Sequence, residues 1–177
     1  EDAHGLVMGL IDASFRNLAG PPSLDSCTRD VYPAEASFYL DAAIRLALGV
    51  ASAAEHLHAQ GIMHGDLYAH NILHAGDGRA LLGDFGAASF VAADDPVLAK
   101  ALERIEVRAF SCLLEELLAR SALDADSTTT ETTAGPTVNR KKAEKLKSLQ
   151  AACAQENVAA RPLFADIVAS LKALASS

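Results

Sequence analysis

Apolar side chains recur every three or four positions over residues 37–60, which is the spacing expected of an α-helix with one buried face. The apolar positions in this stretch are Leu40, Ile44, Leu48, Ala51 and Leu57. Gly61 follows directly, and glycine commonly ends a helix because it adopts a left-handed backbone without steric cost. The pattern therefore predicts one long helix that ends at Gly61.

Two short apolar runs follow this helix, at residues 71–73 and 80–82, and a Gly-Asp-Gly sequence at residues 76–78 separates them. Short apolar runs joined by turn residues are typical of a β-hairpin. Residues 105–118 show a second helical pattern, and a late helix is expected shortly after Arg161. The sequence thus predicts a single mainly α domain over residues 1–177, with a small β-hairpin and a strand near the N-terminus.

Three polar residues flank the predicted hairpin at a spacing that suits phosphoryl transfer. Asp66 and Asn71 lie five residues apart, and Asp84 lies eighteen residues beyond Asp66. A carboxylate accepts the proton of an attacking hydroxyl, while carboxylate and amide oxygens are the hard ligands that Mg²⁺ prefers. Each residue alone is more often part of an ordinary turn, but their order around a hairpin indicates a phosphotransfer site.

This part of the chain resembles the C-terminal lobe of a eukaryotic-type protein kinase. The matching motifs are His64-Gly65-Asp66, Asn71, Asp84-Phe85-Gly86 and Arg161-Pro162-Leu163-Phe164. The resemblance implies ATP as phosphoryl donor, Asp66 as catalytic base, and Asn71 and Asp84 as ligands of Mg²⁺. It also implies that Phe85 packs into the core near His64 and that Gly86 allows a sharp turn after Asp84.

Residues 5–11 resemble the last strand of a kinase N-terminal lobe and the hinge that follows it. On this resemblance Met8 is the gatekeeper beside the nucleotide, and the backbone groups of Gly9, Leu10 and Ile11 face the adenine ring of ATP. Leu73 would pack beneath that ring. A plain buried strand is an equally good interpretation of residues 5–11.

Four departures from the family bear on function. No Gly-rich loop or strand lysine stands ahead of Gly5, so the N-terminal lobe is expected from elsewhere in a parent chain or from another domain. Gly65 replaces the arginine of the usual His-Arg-Asp motif, as in small-molecule kinases.

His70 falls where tyrosine kinases carry an arginine, and a protonated His70 would supply a positive charge near the γ-phosphate. The segment from Asp84 to Glu106 is short, and Glu106 takes the position of an aspartate that anchors the catalytic loop.

Composition bounds the partners and the compartment. The chain has 177 residues and a formal charge of −8, so we expect one core and no nucleic-acid partner. No run of about twenty apolar residues is present, so no membrane span is expected. Cys27, Cys112 and Cys153 show no disulfide or metal-ligand spacing, which favours a cytoplasmic location. Residues 122–145, rich in serine and threonine at their start, are expected to form a flexible insert.

Three functions remain open from the sequence. The leading interpretation is an ATP- and Mg²⁺-dependent kinase whose acceptor is a serine or threonine hydroxyl of a protein. The first alternative is a pseudokinase-like scaffold or regulatory module, and the second is a small-molecule kinase that uses another hydroxyl substrate. An isolated lobe is expected to self-associate through the apolar face that a partner lobe would cover.

Overall fold

The computed structural model describes residues 9–27, 29–91, 94–122 and 136–177. Four α-helices make up nearly half of these residues and the strands are short, so the predicted mainly α fold is confirmed. The helices are α1 (Leu40–Ala59), α2 (Pro96–Ala119), α3 (Pro136–Cys153) and α4 (Phe164–Ala175). None of these helices combines the length and the apolar character that crossing a membrane requires.

Short strands join the helices and frame the catalytic loop. They are β1 (Arg16–Asn17), β2 (Phe38–Tyr39), β3 (Ile62–Met63), β4 (Ile72–His74), β5 (Ala80–Leu82), β6 (Ser89–Phe90) and β7 (Ser121–Ala122). β1, β4 and β5 form one antiparallel sheet, β2 pairs with β7 in parallel, and β3 pairs with β6 in antiparallel.

The predicted hairpin is present as β4 and β5, with Ile72 opposite Leu82 and His74 opposite Ala80. Gly78 has a φ of +89°, and a Cβ there would lie 2.6 Å from the carbonyl oxygen of Ala42 on α1. Only glycine fits that backbone and that approach without strain. The turn is therefore fixed by its contact with the long helix as well as by its own sequence.

The core lies between α1 and the three other helices. α1 packs against α4 and α2, and α3 packs against both α2 and α4. The buried face of α1 consists largely of small side chains, which let the neighbouring helices approach closely; they include Ala43, Ala47, Val50, Ala51 and Ala54. The helix ends as predicted, because Gly61 takes a φ of +69° directly after it.

Helix α2 begins at Pro96, nine residues before the predicted start at Ile105. The Asp95 carboxylate accepts hydrogen bonds from the backbone N–H groups of Val97 and Leu98, at 3.1 and 2.8 Å. An aspartate N-cap followed by proline at the first helical position is a strong start signal. The helix therefore begins closer to Asp84, and the connection between Asp84 and α2 is short.

Two expectations for irregular or terminal segments differ from the structure. Gly9, Leu10 and Ile11 are exposed and form no strand, since no described strand pairs with them; residues 5–8 of the expected hinge strand lie outside the described residues. Of the expected flexible insert, residues 123–135 also lie outside the described residues. Residues 136–145 instead belong to α3, where buried Lys142 places its Nζ 2.9 Å from Asp41.

Phe164 at the start of α4 packs between α1 and α2. Its buried ring stacks on His58 with centroids 5.7 Å apart and meets Phe110 edge-on at 5.6 Å. We expect Phe164→Ala to lower the free energy of unfolding by about 3–5 kcal/mol, because it empties a buried aromatic site. Urea denaturation measures this loss. Phe90→Ala is the control, since Phe90 is 88% exposed and its removal should change stability by less than about 0.5 kcal/mol.

Candidate active site

A buried carboxylate on α2 holds the backbone of the loop that carries Asp66. Glu106 is 2% exposed, and its Oε1 accepts a hydrogen bond from the N–H of Gly65 at 2.7 Å. Its Oε2 lies 2.7 Å from Nε2 of His58 and accepts a longer bond of 3.4 Å from the N–H of His64. The anchoring role that the sequence suggested for Glu106 thus agrees with its contacts.

The environment of Glu106 keeps it ionised. Burial raises the pKa of this carboxyl, but hydrogen bonds from His58, Gly65 and His64, with the charge of His58, outweigh burial and leave the pKa below its ordinary value. A carboxylate that accepts several hydrogen bonds is stabilised in its charged form. Glu106 is therefore a fixed negative acceptor beneath the catalytic loop.

His64 connects the loop around Asp66 to the segment around Asp84. Its buried ring lies 2.9 Å from the carbonyl oxygen of Gly83 through Nε2, and its Nδ1 accepts a bond of 3.3 Å from the N–H of Asp66. The first contact requires the proton on Nε2 and the second requires a free lone pair on Nδ1. One tautomer of a neutral ring satisfies both contacts.

Asn71 holds Asp66 through its side-chain amide. Nδ2 of Asn71 donates to the backbone carbonyl of Asp66 at 2.9 Å and to Oδ2 of the same residue at 2.8 Å. Asp66 is 38% exposed at its side chain, so its carboxylate remains accessible to a substrate. Because Asn71 is itself buried, the orientation of the Asp66 carboxylate is fixed from the protein interior.

Asp84 and Asn71 lie at the same end of the β4–β5 hairpin. The N–H of Gly83 donates to the carbonyl oxygen of Asn71 at 2.9 Å, which continues the β4–β5 pairing by one step. Asp84 follows at once, with a left-handed backbone of φ 52° and ψ 80°. Its Oδ1 accepts a bond of 3.1 Å from the N–H of Gly86.

Two expectations for the Asp-Phe-Gly segment need correction. The sharp turn is made by Asp84 itself, which has the positive φ, rather than by Gly86. Phe85 does lie beside His64, with ring centroids 5.1 Å apart, but it is 50% exposed and is not a core residue. A short 3₁₀ helix at Phe85–Ala87 turns the ring toward the surface of the site.

His70 lies next to the carboxylate of Asp66. Its Nε2 is 3.6 Å from Oδ2 of Asp66, and its ring stacks on Tyr68. On its other side, Nδ1 is 2.7 Å from Oδ1 of Asp30, a residue that the sequence interpretation did not select. No local motif marks Asp30, because it lies forty positions away and reaches the site only through the fold.

The residues expected around the adenine ring are spread over two parts of the chain. Leu73 lies on β4, half-buried between Asn17 of β1 and Leu81 of β5. Leu10 is fully exposed, so its side chain packs against nothing, and Met8 lies outside the described residues. Contact of these residues with a nucleotide stays a prediction.

The donor set at the hairpin end suits a hard cation. Nδ2 of Asn71 and Oδ1 of Asp84 take part in hydrogen bonds, so Oδ1 of Asn71 and Oδ2 of Asp84 are the oxygens that could bind such a cation. In the described ranges no three His, Cys, Asp or Glu side chains gather into a complete metal site. Two protein oxygens with remaining positions filled by phosphate and water are the usual arrangement for Mg²⁺.

Gly65 is required by geometry, and this gives a testable prediction. Its φ is +82°, and a Cβ at this position would lie 2.5 Å from the carbonyl oxygen of Ala87. We expect Gly65→Ala to lower the free energy of unfolding by about 2 kcal/mol or more, from backbone strain and the displaced 3₁₀ turn. Thermal and urea denaturation measure the effect. Gly76→Ala is the matched control, since Gly76 has open space around it and should tolerate a methyl group.

The contribution of Glu106 to stability should depend on pH. Because its folded pKa lies below the ordinary 4.5, the carboxylate stabilises the fold fully above about pH 4.5 and loses this effect as pH falls through the folded pKa. We expect Glu106→Gln to cost roughly 1–3 kcal/mol at pH 7, from lost charge-assisted hydrogen bonds. Urea denaturation from pH 7 to pH 3 should show the difference from wild type shrinking below about pH 4.5; a constant difference would contradict this assignment.

Comparison with known proteins agrees with this geometry. Residues 23–104 match the family model described as "Protein kinase domain". The matched range contains Asp66, His70, Asn71 and Asp84, together with the β4–β5 hairpin between them. The comparison with curated proteins gave no match. Residues 23–104, which carry this geometry, are thus similar to a protein kinase domain.

Proposed function

We propose that this chain carries the catalytic loop of an ATP-dependent phosphotransferase, which moves the γ-phosphoryl group of ATP to a hydroxyl group. The observation that carries the proposal is the double hydrogen bond from buried Asn71 to the side chain and backbone of Asp66. It fixes a solvent-accessible carboxylate, and a second acidic residue, Asp84, directly follows Gly83, whose N–H donates to the Asn71 carbonyl. Positioning of charged groups is the main contribution of a protein to phosphoryl transfer.

In this function Asp66 orients the attacking hydroxyl and accepts its proton. Oδ2 of Asp66 is held by Asn71, which leaves Oδ1 for the substrate. His70, in its protonated form, provides a positive charge near the transferred group, since its Nε2 lies 3.6 Å from Asp66. A cation there offsets part of the negative charge on the phosphoryl oxygens.

Asn71 and Asp84 would hold Mg²⁺, which supplies charge neutralisation to the nucleotide phosphates when it is bound. The protein's own contribution is to fix the two oxygen ligands in advance. Asn71 is buried beneath the loop, and Asp84 is held by its bond to the Gly86 N–H. Gly83 connects the two ligands through its bond to the Asn71 carbonyl.

Around the base of ATP, Met8 and the backbone of Gly9, Leu10 and Ile11 would form one wall of the site. Leu73 would form the opposite apolar surface, from its half-buried position on β4. Protein serine or threonine is the favoured acceptor, on the resemblance to protein kinases. The proposed setting for this activity is the cytoplasm.

A small-molecule hydroxyl is the second candidate acceptor, and one observation favours it. Helix α2 starts at Pro96, and β6 occupies Ser89–Phe90, so little chain separates Asp84 from the helix. Protein kinases use the equivalent segment as a platform for a peptide substrate. The short connection leaves the substrate side of Asp66 open to a compact acceptor.

The function is tested in the full-length protein by nucleotide binding and turnover. Asp66→Asn should reduce ATP turnover by roughly 100-fold or more and leave ATP binding intact, because it removes only the proton acceptor. Asn71→Ala and Asp84→Ala should weaken nucleotide binding in Mg²⁺ but not in its absence. Asp77→Asn is the control, since Asp77 is an exposed carboxylate on the hairpin turn and should leave both properties unchanged.

The acceptor is identified by offering the wild-type protein a generic serine- and threonine-rich protein in one assay and choline, sugars and aminoglycosides in another. Phosphate transfer to the protein supports the leading assignment, and transfer to a small molecule supports the second. Nucleotide binding without turnover on any acceptor would contradict both and favour a pseudokinase-like regulatory role. Turnover that survives Asp66→Asn would contradict the role of this residue.

A further inference from the structure

A buried aspartate outside every motif contacts the catalytic loop. The side chain of Asp30 is only 2% exposed, although it belongs to an irregular segment between β1 and β2. A buried carboxylate is costly unless hydrogen bonds satisfy it. Within the described part of the chain, the hydrogen bonds that satisfy this one come from His70.

Asp30 holds His70 at two points. Its Oδ2 accepts a hydrogen bond of 3.2 Å from the backbone N–H of His70, and its Oδ1 lies 2.7 Å from the ring Nδ1. The second contact requires a proton on Nδ1, because a carboxylate oxygen only accepts. The ring is therefore oriented with Nδ1 toward Asp30 and with Nε2 toward Asp66, 3.6 Å from its Oδ2.

The segment that carries Asp30 is itself attached to helix α2. Arg29 donates to Oε1 of Glu116 at 3.0 Å, and the Tyr32 hydroxyl donates to Oε2 of the same carboxylate at 3.0 Å. The guanidinium of Arg120 lies over the Tyr32 ring, 3.9 Å from its centroid. Asp30 thus stands on a rigid support, which is what a group that positions another side chain needs.

Other groups complete the surroundings of His70. Tyr68 stacks on its ring at 12° between planes, with centroids 6.1 Å apart. Arg108 and Cys112 of α2 line the same pocket as Tyr68. Stacking on one face restricts tilting of the imidazole, while Asp30 restricts its rotation.

We propose that Asp30 is a positioning residue of the phosphotransfer site, which holds His70 with its Nε2 directed at the catalytic carboxylate of Asp66. This inference rests on the proposed function. It goes beyond that function because it assigns a role to a residue that no kinase motif contains. The chain of contacts runs from Glu116 through the segment of Arg29 to Tyr32, then through Asp30 and His70 to Asp66.

Kinetics of Asp30→Asn in the full-length protein test the proposal. We expect kcat to fall roughly 10- to 100-fold, the usual cost of losing a group that orients a reacting side chain, with KM for ATP within about twofold of wild type. In a His70→Gln background the same change should alter kcat by less than about twofold, because residues that act through one another are not additive.

Tyr32→Phe is the matched control. It removes one of the two attachments of this segment to Glu116 and leaves His70 untouched. Because Arg29 still binds Glu116, the change should lower stability and leave kcat near the wild-type value. If Asp30 served only to hold the segment in place, Asp30→Asn and Tyr32→Phe would change kcat to a similar extent. Equal losses would therefore overturn the proposal.

A spectroscopic measurement separates this inference from the proposed function. Long-range ¹H–¹⁵N spectra of the wild-type His70 ring should show Nδ1 carrying a hydrogen-bonded proton, and Asp30→Asn should shift or remove that signal. If the wild-type protein turns over no ATP, the proposed function is wrong. The spectrum of the His70 ring then decides by itself whether Asp30 positions His70.

Three further results would overturn it: an Nδ1 without a proton in the wild-type spectrum, full activity in a folded Asp30→Asn protein, or an undiminished effect of Asp30→Asn in the His70→Gln background. Should Asp30→Asn fail to fold, the wild-type ring spectrum remains the deciding observation. An Nδ1 proton in a strong hydrogen bond, together with a non-additive kinetic loss, supports the proposal.

Discussion

The buried carboxylate of Glu106 is the constraint on which the rest of the site depends. Its two oxygens join the end of α1, the catalytic loop and α2, through His58 and Gly65. His58 in turn stacks on Phe164 of the hydrophobic core. The Glu106 carboxylate therefore connects the loop around Asp66 to that core. Because an ionised buried group must keep its donors, none of these segments can move without leaving that charge unsatisfied.

Local sequence predicted the elements that local forces determine. The long helix and its end at Gly61, and the hairpin with its turn at residues 76–78, follow from apolar spacing and from glycine's backbone freedom. The sequence also contains a signal for the early start of α2, because Asp95 and Pro96 form a recognisable N-cap pair. The prediction of a later start, at Ile105, rested on the apolar spacing farther along the helix. Asp66 and Asn71 contact each other because both residues lie in one short loop.

Contacts between distant segments were outside the reach of sequence patterns. Asp30 meets His70 only because the segment that carries it is bound to α2, and no periodicity reports such an approach. The exposure of Phe85 was not predicted for a related reason. The Asp-Phe-Gly motif suggests a buried aromatic ring, but the burial of that ring depends on which distant segments pack over it. Lys142 is buried, although lysine is rarely a buried residue, because Asp41 on another helix lies opposite.

The left-handed backbone of Asp84 has a consequence for how stability and chemistry are related in this chain. Such a conformation costs about 1 kcal/mol for a residue with a side chain, and glycine would adopt it freely. The bond from the Gly86 N–H recovers part of that energy. The most stable version of this turn would therefore lack the carboxylate, so selection for thermal stability alone would tend to remove the group that the proposed reaction needs.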